Sequence, residues 1–315
     1  MSSMSIVVPV FNSEPTLGAL VARVDAIRHH WVGGCELVLV DDGSHDGSWP
    51  MIVSLAKSRP WVRGLRLLRN YGQHNALLCG IRAASGTMIA TIDDDLQVPP
   101  EILPGLSARL TGDIQLVYGR PTGGHQPLWR AAASRLTRAV LATAIGRRHA
   151  SRISNCRVFR AEVREGFGDY RGHLVNIDAL LAWGAAHVDD VEVKFDTRQA
   201  GRSQYTVGRL LLTALDMATG FSVIPLRVAA LTGLTFTLFG FAVLVYVLAR
   251  FFSTGGSIPG FPFIASITAI FSGAQLFALG ILGEYLGRTY LLVMDKPAFV
   301  VRDHTSPDDT RHARQ

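Results

Sequence analysis

The sequence predicts an α/β domain built on a mostly parallel sheet with helices on both faces, followed by two helices long enough to cross a membrane. Three observations carry this reading. Over the first 120 residues short β-branched runs alternate with helical patterns, the signature of βαβ units. Two long uncharged runs, residues 228–248 and 261–282, lie towards the C-terminus. The ends of three predicted strands carry polar residues, at Asn12, at Asp41-Asp42 and at Asp93-Asp94-Asp95. Carboxyl ends of strands are where an open α/β sheet binds ligands.

The elements follow in order. Residues 5–10 read as a strand on their β-branched side chains, 16–29 as a helix, 36–40 as a strand and 48–58 as a helix. Then come a strand over 62–68, a helix over 75–84, and strands over 88–92 and 114–118. Residues 128–144 form an arginine-studded helical pattern with Leu136, Val140 and Leu141 on one side, either an interfacial amphipathic helix or a plain surface helix. A second juxtamembrane helix is expected over 206–224, where Leu210, Leu211, Leu215 and Met217 supply the apolar surface. The resulting division is a catalytic-sized domain over 1–205, a juxtamembrane helix over 206–225, two spans over 226–290 and a tail over 291–315. After Arg302 the tail has few apolar residues and is expected to be disordered.

Composition agrees with a membrane-anchored chain. Of 315 residues 48% are hydrophobic and the mean hydropathy is +0.24, with the excess concentrated in the two uncharged runs. Buried core helices are the alternative, but a short turn over 253–262 joins the runs as in a hairpin in lipid. Arg227 precedes the first run, and Arg288 and Lys296 follow the second, against Arg250 alone between them. The positive-inside rule then puts both ends and the N-terminal domain in the cytoplasm, the chain being multi-pass in the inner (cytoplasmic) membrane. No leader is expected, because residues 1–10 are too short and lack a charged start. The net charge of +6 and pI near 9.5 do not point to nucleic acid, since the arginines crowd into 120–209, just before the spans. An anionic leaflet or lipid head group is the simpler partner. Cys35, Cys79 and Cys156, odd in number and widely spaced, read as reduced thiols.

Residues 91–97, Thr-Ile-Asp-Asp-Asp-Leu-Gln, are the most informative stretch. Asp93 and Asp95 stand two apart at a strand end, and with the amide of Gln97 they offer hard oxygen ligands to one cation, which in turn can hold a diphosphate. Taken alone, an acidic turn closing a strand is the commoner reading. Asp41 and Asp42, before Gly43 and Ser44, suit donors on a base or ribose, or else an Asx-type turn. In the loop Arg69-Asn70-Tyr71-Gly72-Gln73-His74-Asn75 the amides, Arg69 and the next helix start suit a nucleotide, helix capping by Asn75 being the alternative. His74 has no second histidine at metal spacing. Neither a Gly-x-Gly-x-x-Gly run after the first strand nor a Walker A sequence is present.

Together, Val8-Pro9-Val10-Phe11-Asn12, Val40-Asp41-Asp42-Gly43-Ser44, Arg69-Asn70-Tyr71-Gly72-Gln73 and Asp93-Asp94-Asp95-Leu96-Gln97 resemble the family 2 glycosyltransferases of GT-A fold, a Rossmann-like architecture. Over residues 4–300 the chain is similar to the polyprenyl-phosphate branch: dolichol-phosphate mannose synthases, undecaprenyl-phosphate glucosyltransferases and the undecaprenyl-phosphate 4-deoxy-4-formamido-arabinose transferase. Gly201-Arg202-Ser203-Gln204-Tyr205 and the run over 280–288 echo later motifs of that branch. The resemblance implies a nucleotide sugar held across Pro9, Asn12, Asp41, Arg69, Gln73, Asp93 and Asp94, and Mg²⁺ or Mn²⁺ at Asp93, Asp95 and Gln97. It implies catalytic roles for Asp95, Arg157 and Arg202, and places Arg198, Arg202, Ser203 and Tyr205 near the diphosphate or the acceptor phosphate. Juxtamembrane anchoring is the other use for that last basic motif.

The expected reaction is inverting transfer of a sugar, with a UDP-sugar as the favoured donor and GDP-mannose as the alternative, to undecaprenyl or another polyprenyl phosphate. The chain departs from the family pattern at Asn155, where some relatives have an acid, at Ser13, where Asp or Glu often follows the Asn, and at Gln204, where Lys is common. A general base at 155 is therefore in doubt, and Arg157 is either a phosphate contact or a structural ion-pair partner. A processive polysaccharide synthase would need more spans and a Gln-x-x-Arg-Trp sequence. A non-catalytic sugar-nucleotide-binding protein would have little use for intact carboxylates. A role of the spans in flipping the product would demand a homo-oligomer.

Overall fold

A computed structural model describes residues 2–122, 152–172, 175–194, 224–254, 260–294 and 296–305. The expected helices over 128–144 and 206–224 lie outside the described residues, apart from the start of the first apolar helix at Ile224. The chain divides into two compact units, residues 1–207 with 295–315, and residues 208–294.

The first unit is built on one eight-stranded sheet. Its strands are β1 (Met4–Val10), β2 (Cys35–Asp41), β3 (Val62–Leu67), β4 (Met88–Thr91), β5 (Leu116–Pro121), β6 (Cys156–Arg160), β7 (Val188–Val193) and β8 (Val301–His304), in the order β7-β5-β6-β4-β1-β2-β3-β8. β1 pairs in parallel with β2 and β4, β2 with β3, and β5 with β7, while β6 lies antiparallel between β4 and β5 and β8 runs antiparallel on β3. Six of the eight strands therefore point the same way, and the sheet is mixed only where β6 and β8 enter it.

Helices α1 (Glu14–Ile27), α2 (Ser48–Ser58) and the short α4 (Leu103–Ser107) cover one face of the sheet, and α3 (Gln73–Ala83) and α5 (Ile177–Gly184) the other. Alternation along β1 divides its side chains accordingly. Ile6 and Val8 pack with Leu17, Leu20, Ile52 and Leu106, whereas Val7 packs with Leu78, Ile81 and Leu180. All of these are fully or almost fully buried, each such side chain stabilising the fold by roughly 1.5–3 kcal/mol.

Element boundaries shift for local reasons. α1 starts two residues early because Pro15, which has no amide hydrogen, fits its first turn, and it ends as residues 28–30 tighten into a 3₁₀ turn. α3 starts at Gln73 rather than 75, capped by Gly72 at φ +95°, and Asn75 instead donates its side-chain amide to the Tyr71 carbonyl. The strand expected over 114–118 begins only at Leu116, because residues 111–114 close a turn through the Ile114 amide and Thr111 carbonyl.

The larger correction is at the C-terminus. The tail expected to be disordered after Arg302 begins in order: residues 301–304 form β8, and the segment leading into it buries Phe299 in the core. The Leu68 amide donates to the Val300 carbonyl, the Thr305 amide to the Gly64 carbonyl, and the Gly64 amide to Thr305 Oγ1. A short polar sequence gains order here by completing the open edge of β3.

The second unit contributes α6 (Ile224–Thr254) and α7 (Phe261–Val293), which pack on each other, with the Phe236 and Phe271 rings edge to face at 5.9 Å and Gly240 leaving room for Phe271. Within them Pro225–Arg250 and Ile270–Val293 are long and apolar enough to cross a membrane. Their large side chains, among them Leu231, Phe241 and Leu276, point outwards and are exposed.

Candidate active site

Chain order along the sheet reverses beside β1: β2 and β3 extend to one side, then α3 returns the chain to β4 on the other. The carboxyl ends on either side of that reversal form a crevice, the preferred ligand position of an open α/β sheet. A cavity of about 260 Å³ lies there, lined by Pro9, Val10 and Phe11 after β1, Asp42 after β2, Asn70, Gly72 and Gln73 before and within α3, and Asp93, Asp94 and Asp95 after β4.

The walls of this cavity are tied together by side chains. Asn12, in a left-handed conformation (φ +54°) that asparagine tolerates, accepts from the His45 amide and donates its own amide to Ser44 Oγ, joining the β1 and β2 loops. Asp42 accepts from the Tyr71 and Gly72 amides at 2.7 and 2.8 Å, drawing the loop after β3 onto the end of β2. That approach requires Gly43: a Cβ there would stand 2.6 Å from the Arg69 carbonyl carbon, and φ is +73°. Asp94 accepts from the Phe11 amide at 3.3 Å, closing the crevice between β1 and β4. Asp93 sits in a bracket of two amides, Gln73 Nε2 at 2.6 Å and Asn155 Nδ2 at 2.8 Å. Asp95 Oδ1 accepts from the Gln97 amide, and between them Leu96 holds a left-handed backbone (φ +58°) with its side chain in the core.

Four carboxylates thus meet at one cavity, and burial raises the pKa of three of them. Asp42 and Asp94 are each pushed to about 6, chiefly by desolvation, against the pull of the Tyr71 and Gly72 amides on Asp42 and of the Ser13 hydroxyl and Phe11 amide on Asp94. Asp93 is raised by burial and by Asp95, and the Asn155 and Gln73 bonds only partly offset this. Among the described residues no lysine or arginine forms an ion-pair contact with Asp93 or Asp94, although the charge of Arg157 also draws the pKa of Asp93 down. Such a site is short of positive charge.

The donor set fits a hard divalent cation in part. Carboxylate oxygens are the right chemistry, yet no three His, Cys, Asp or Glu side chains among the described residues converge as a complete metal cage. A Mg²⁺-like ion bound by one or two carboxylates and completed by substrate phosphates needs no more.

Of the residues singled out from sequence, Pro9, Gln73, Asp93, Asp94 and Asp95 line the cavity. Asp41 does not: fully buried, it accepts from the Ser44 amide and lies 3.2 Å from Arg66 Nε, close enough for an ion pair but not aligned as a hydrogen bond. Asn12 shapes the loop beside the cavity, Arg69 stacks over the Tyr71 ring at 4.6 Å, and Gln97 holds Asp95 through its backbone. Arg157 is buried and bound to Asp178 at 2.7 Å. Arg198, Arg202, Ser203 and Tyr205 lie outside the described residues. The cavity adds Phe11, Asp42, Asn70 and Gly72, and Asn155 joins it through Asp93. The first four stood inside recognised motifs, but the motifs did not say which member faces inwards.

Comparison with known proteins gives a consistent picture. Residues 5–168 match the model of glycosyl transferase family 2. The undecaprenyl-phosphate 4-deoxy-4-formamido-L-arabinose transferase of Photorhabdus laumondii is 31% identical over 305 residues, 96% of this chain and 94% of that protein. The Pseudomonas aeruginosa protein of the same name is 33% identical over 301 residues, 95% and 89% of the two chains. Among solved structures, glucosyl-3-phosphoglycerate synthase from Mycobacterium tuberculosis, in complex with phosphoglyceric acid, covers 70% of this chain and 79% of its own. It superposes with a TM-score of 0.50 at 22% identity, a likeness of fold.

Proposed function

Because the chain belongs to glycosyl transferase family 2 and is a glycosyltransferase, we propose that it moves a sugar from a nucleoside diphosphate to undecaprenyl phosphate or a similar polyprenyl phosphate, with inversion at the anomeric carbon. The observation that carries the donor half is the gathering of Asp42, Asp93, Asp94 and Asp95 around one cavity where the strand order reverses. The acceptor half rests on the near full-length likeness to undecaprenyl-phosphate transferases and on two helices able to cross a membrane.

The mechanism follows from charge. A phosphate monoester is largely dianionic near neutral pH, its second pKa being about 6. Its oxygen attacks the anomeric carbon, the bond from that carbon to the diphosphate breaks, and the nucleoside diphosphate leaves with the electron pair. No strong base is required, which agrees with an amide, Asn155, at the place where some relatives have an acid. Asp93, Asp95 and Gln97 would hold a Mg²⁺ or Mn²⁺ ion, whose charge would offset that of the diphosphate as it leaves. The chain's own part is to orient: Gln73 and Asn155 hold Asp93, Asp42 holds the loop from Arg69 to Gly72, and Asp94 holds Phe11 beside the cavity. Alignment of this kind is a large share of catalysis when the nucleophile is already charged. Arg198, Arg202, Ser203 and Tyr205 are assigned to the phosphates, as suits arginine and hydroxyl donors ahead of the spans.

We place the catalytic unit on the cytoplasmic face of the inner membrane. Strand β8 follows both apolar helices yet belongs to the same sheet as β1, which supports a chain that crosses twice and returns to the side it left. The test is to incubate membranes containing the protein with radiolabelled UDP-sugars or GDP-mannose and undecaprenyl phosphate, and to extract the lipid. Label in the lipid from one donor supports the proposal and names the sugar; no label from any donor, with a known transferase active in the same membranes, rejects it.

A further inference from the structure

Beneath the cavity lies a polar cluster that the reaction as described does not use. Arg157, 2% exposed, gives Nη1 to Asp178 Oδ1 at 2.7 Å, and the buried Tyr118 hydroxyl donates to the same oxygen at 3.2 Å. Half-buried His74 accepts at Nδ1 from the Ile177 amide, at the start of α5 next to Asp178. Asn176 caps that helix through the Ala179 amide. Thr91, Arg157 and Tyr118 are register partners across β4, β6 and β5, so their side chains share one face of the sheet. Thr91 Oγ1 and Arg157 Nε have no hydrogen-bond partner among the described residues. A buried arginine whose donors are only partly used is a costly device, hard to explain by stability alone.

Its position gives it a use. Asp93 lies two residues after Thr91, the last residue of β4, Asn155 stands just before β6 and two residues before Arg157, and Gln73 precedes His74 in α3. Each of the three members of the amide bracket is thus one or two residues from a member of the buried cluster. The backbones that carry the bracket come from three different elements, and Asp178 and Ile177, neighbours on α5, reach two of them, β6 and α3.

Resting on the reading of the cavity as a nucleotide-sugar site, we infer that Asp178, with Arg157 and His74, is a positioning unit that sets the Gln73–Asp93–Asn155 bracket and so governs donor affinity. None of the three lines the cavity. Arg157, read from the sequence as a catalytic candidate, acts here through strand β6.

The experiment uses the full-length protein in detergent and measures binding of UDP and of GDP with Mn²⁺, the melting temperature, and amide hydrogen exchange over residues 71–75 and 153–157 without nucleotide. Removing the outer partners of a metal's ligands typically costs about 10–100-fold in metal affinity or activity, and Asp93 is the ligand assigned to the cation here. Asp178→Asn is expected to weaken nucleotide binding by about tenfold or more and to speed exchange in both segments. Tyr118→Phe, which spares the ion pair, is expected to weaken binding by less than Asp178→Asn. His74→Ala should weaken binding and His74→Asn, which can still accept from Ile177, should restore it; this pair carries the test if Asp178→Asn does not fold. Wild type that binds neither nucleotide removes the reading of the cavity, and this inference with it. Wild type that binds, with Asp178→Asn or His74→Ala folded and binding equally well, overturns the positioning unit alone.

Discussion

The two ends of the sheet treat buried acids in opposite ways. At the amino end, Glu36 accepts from Ser5 Oγ, from the amide and hydroxyl of Ser85, and from Arg63 at 2.7 Å. Burial alone would raise its pKa, but these donors outweigh burial and lower it. At the carboxyl end, Asp42, Asp93 and Asp94 are raised, because desolvation outweighs the few amides, the Ser13 hydroxyl and the more distant charge of Arg157 that oppose it. The amino end is a finished structural joint. The carboxyl end holds negative charge that the fold does not neutralise, as expected where a cationic or donor-rich ligand completes the site.

Substitutions at the two ends should therefore fail differently. The largest effect is expected from Asp95→Ala: metal-dependent transfer falls by on the order of 10²-fold or more, with the melting temperature unchanged or raised. An Asp95→Ala protein with wild-type activity would break the contrast at once. Glu36→Ala should do the reverse, costing about 3 kcal/mol because Arg63 loses its carboxylate and Ser5 and Ser85 lose an acceptor, while KM for the donor in the folded protein stays put. A lower melting temperature in detergent checks this, and an altered KM would contradict it.

Asp42 sharpens the contrast through pH. Its native pKa of about 6 lies above its ordinary 3.8, so the native state holds the proton more tightly and loses stability as pH rises from about 4 to about 6. The shift corresponds to about 3 kcal/mol at most. Asp42→Asn removes that loss, and its melting temperature should gain on the wild type by several degrees between pH 4 and pH 7. Parallel profiles would refute the assignment. The smallest effect belongs to the half-exposed surface pair of Arg23 and Glu101 at 2.8 Å, where Glu101→Gln should cost no more than about 1 kcal/mol and leave activity unaltered.

Much of this was legible in the sequence, for identifiable reasons. The alternation that marks βαβ units gave β1 to β4 and α1 to α3 within two residues at each end, since β-branched runs and turn residues are local signals. The acidic turn at Asp93 to Asp95 was legible as a site because Asn12 and Asp41-Asp42 stand at the ends of the neighbouring strands; alone it reads as a turn. What was hidden is whatever depends on distant neighbours. β8 reads as a polar tail until the open edge of β3 supplies its partner. Of the neighbouring acids Asp41 and Asp42, sequence gives no means of telling which faces the cavity: successive strand residues point to opposite faces, and Arg66 on β3 and the loop at Tyr71 decide it. Arg157 reads in a linear motif as either a phosphate contact or an ion-pair partner, and only Asp178, twenty-one residues on, decides for the buried pair.

The central claim, that the carboxyl end is built to be completed by a divalent cation carrying a nucleoside diphosphate, is tested most directly by titrating Mn²⁺ into the full-length protein, followed by electron paramagnetic resonance, with and without UDP or GDP. Tight Mn²⁺ binding that depends on the nucleotide, present in the wild type and in Glu36→Ala and lost in Asp95→Ala, is the predicted result. Nucleotide binding that is indifferent to Mn²⁺, or Mn²⁺ binding that survives the loss of Asp95, would contradict it.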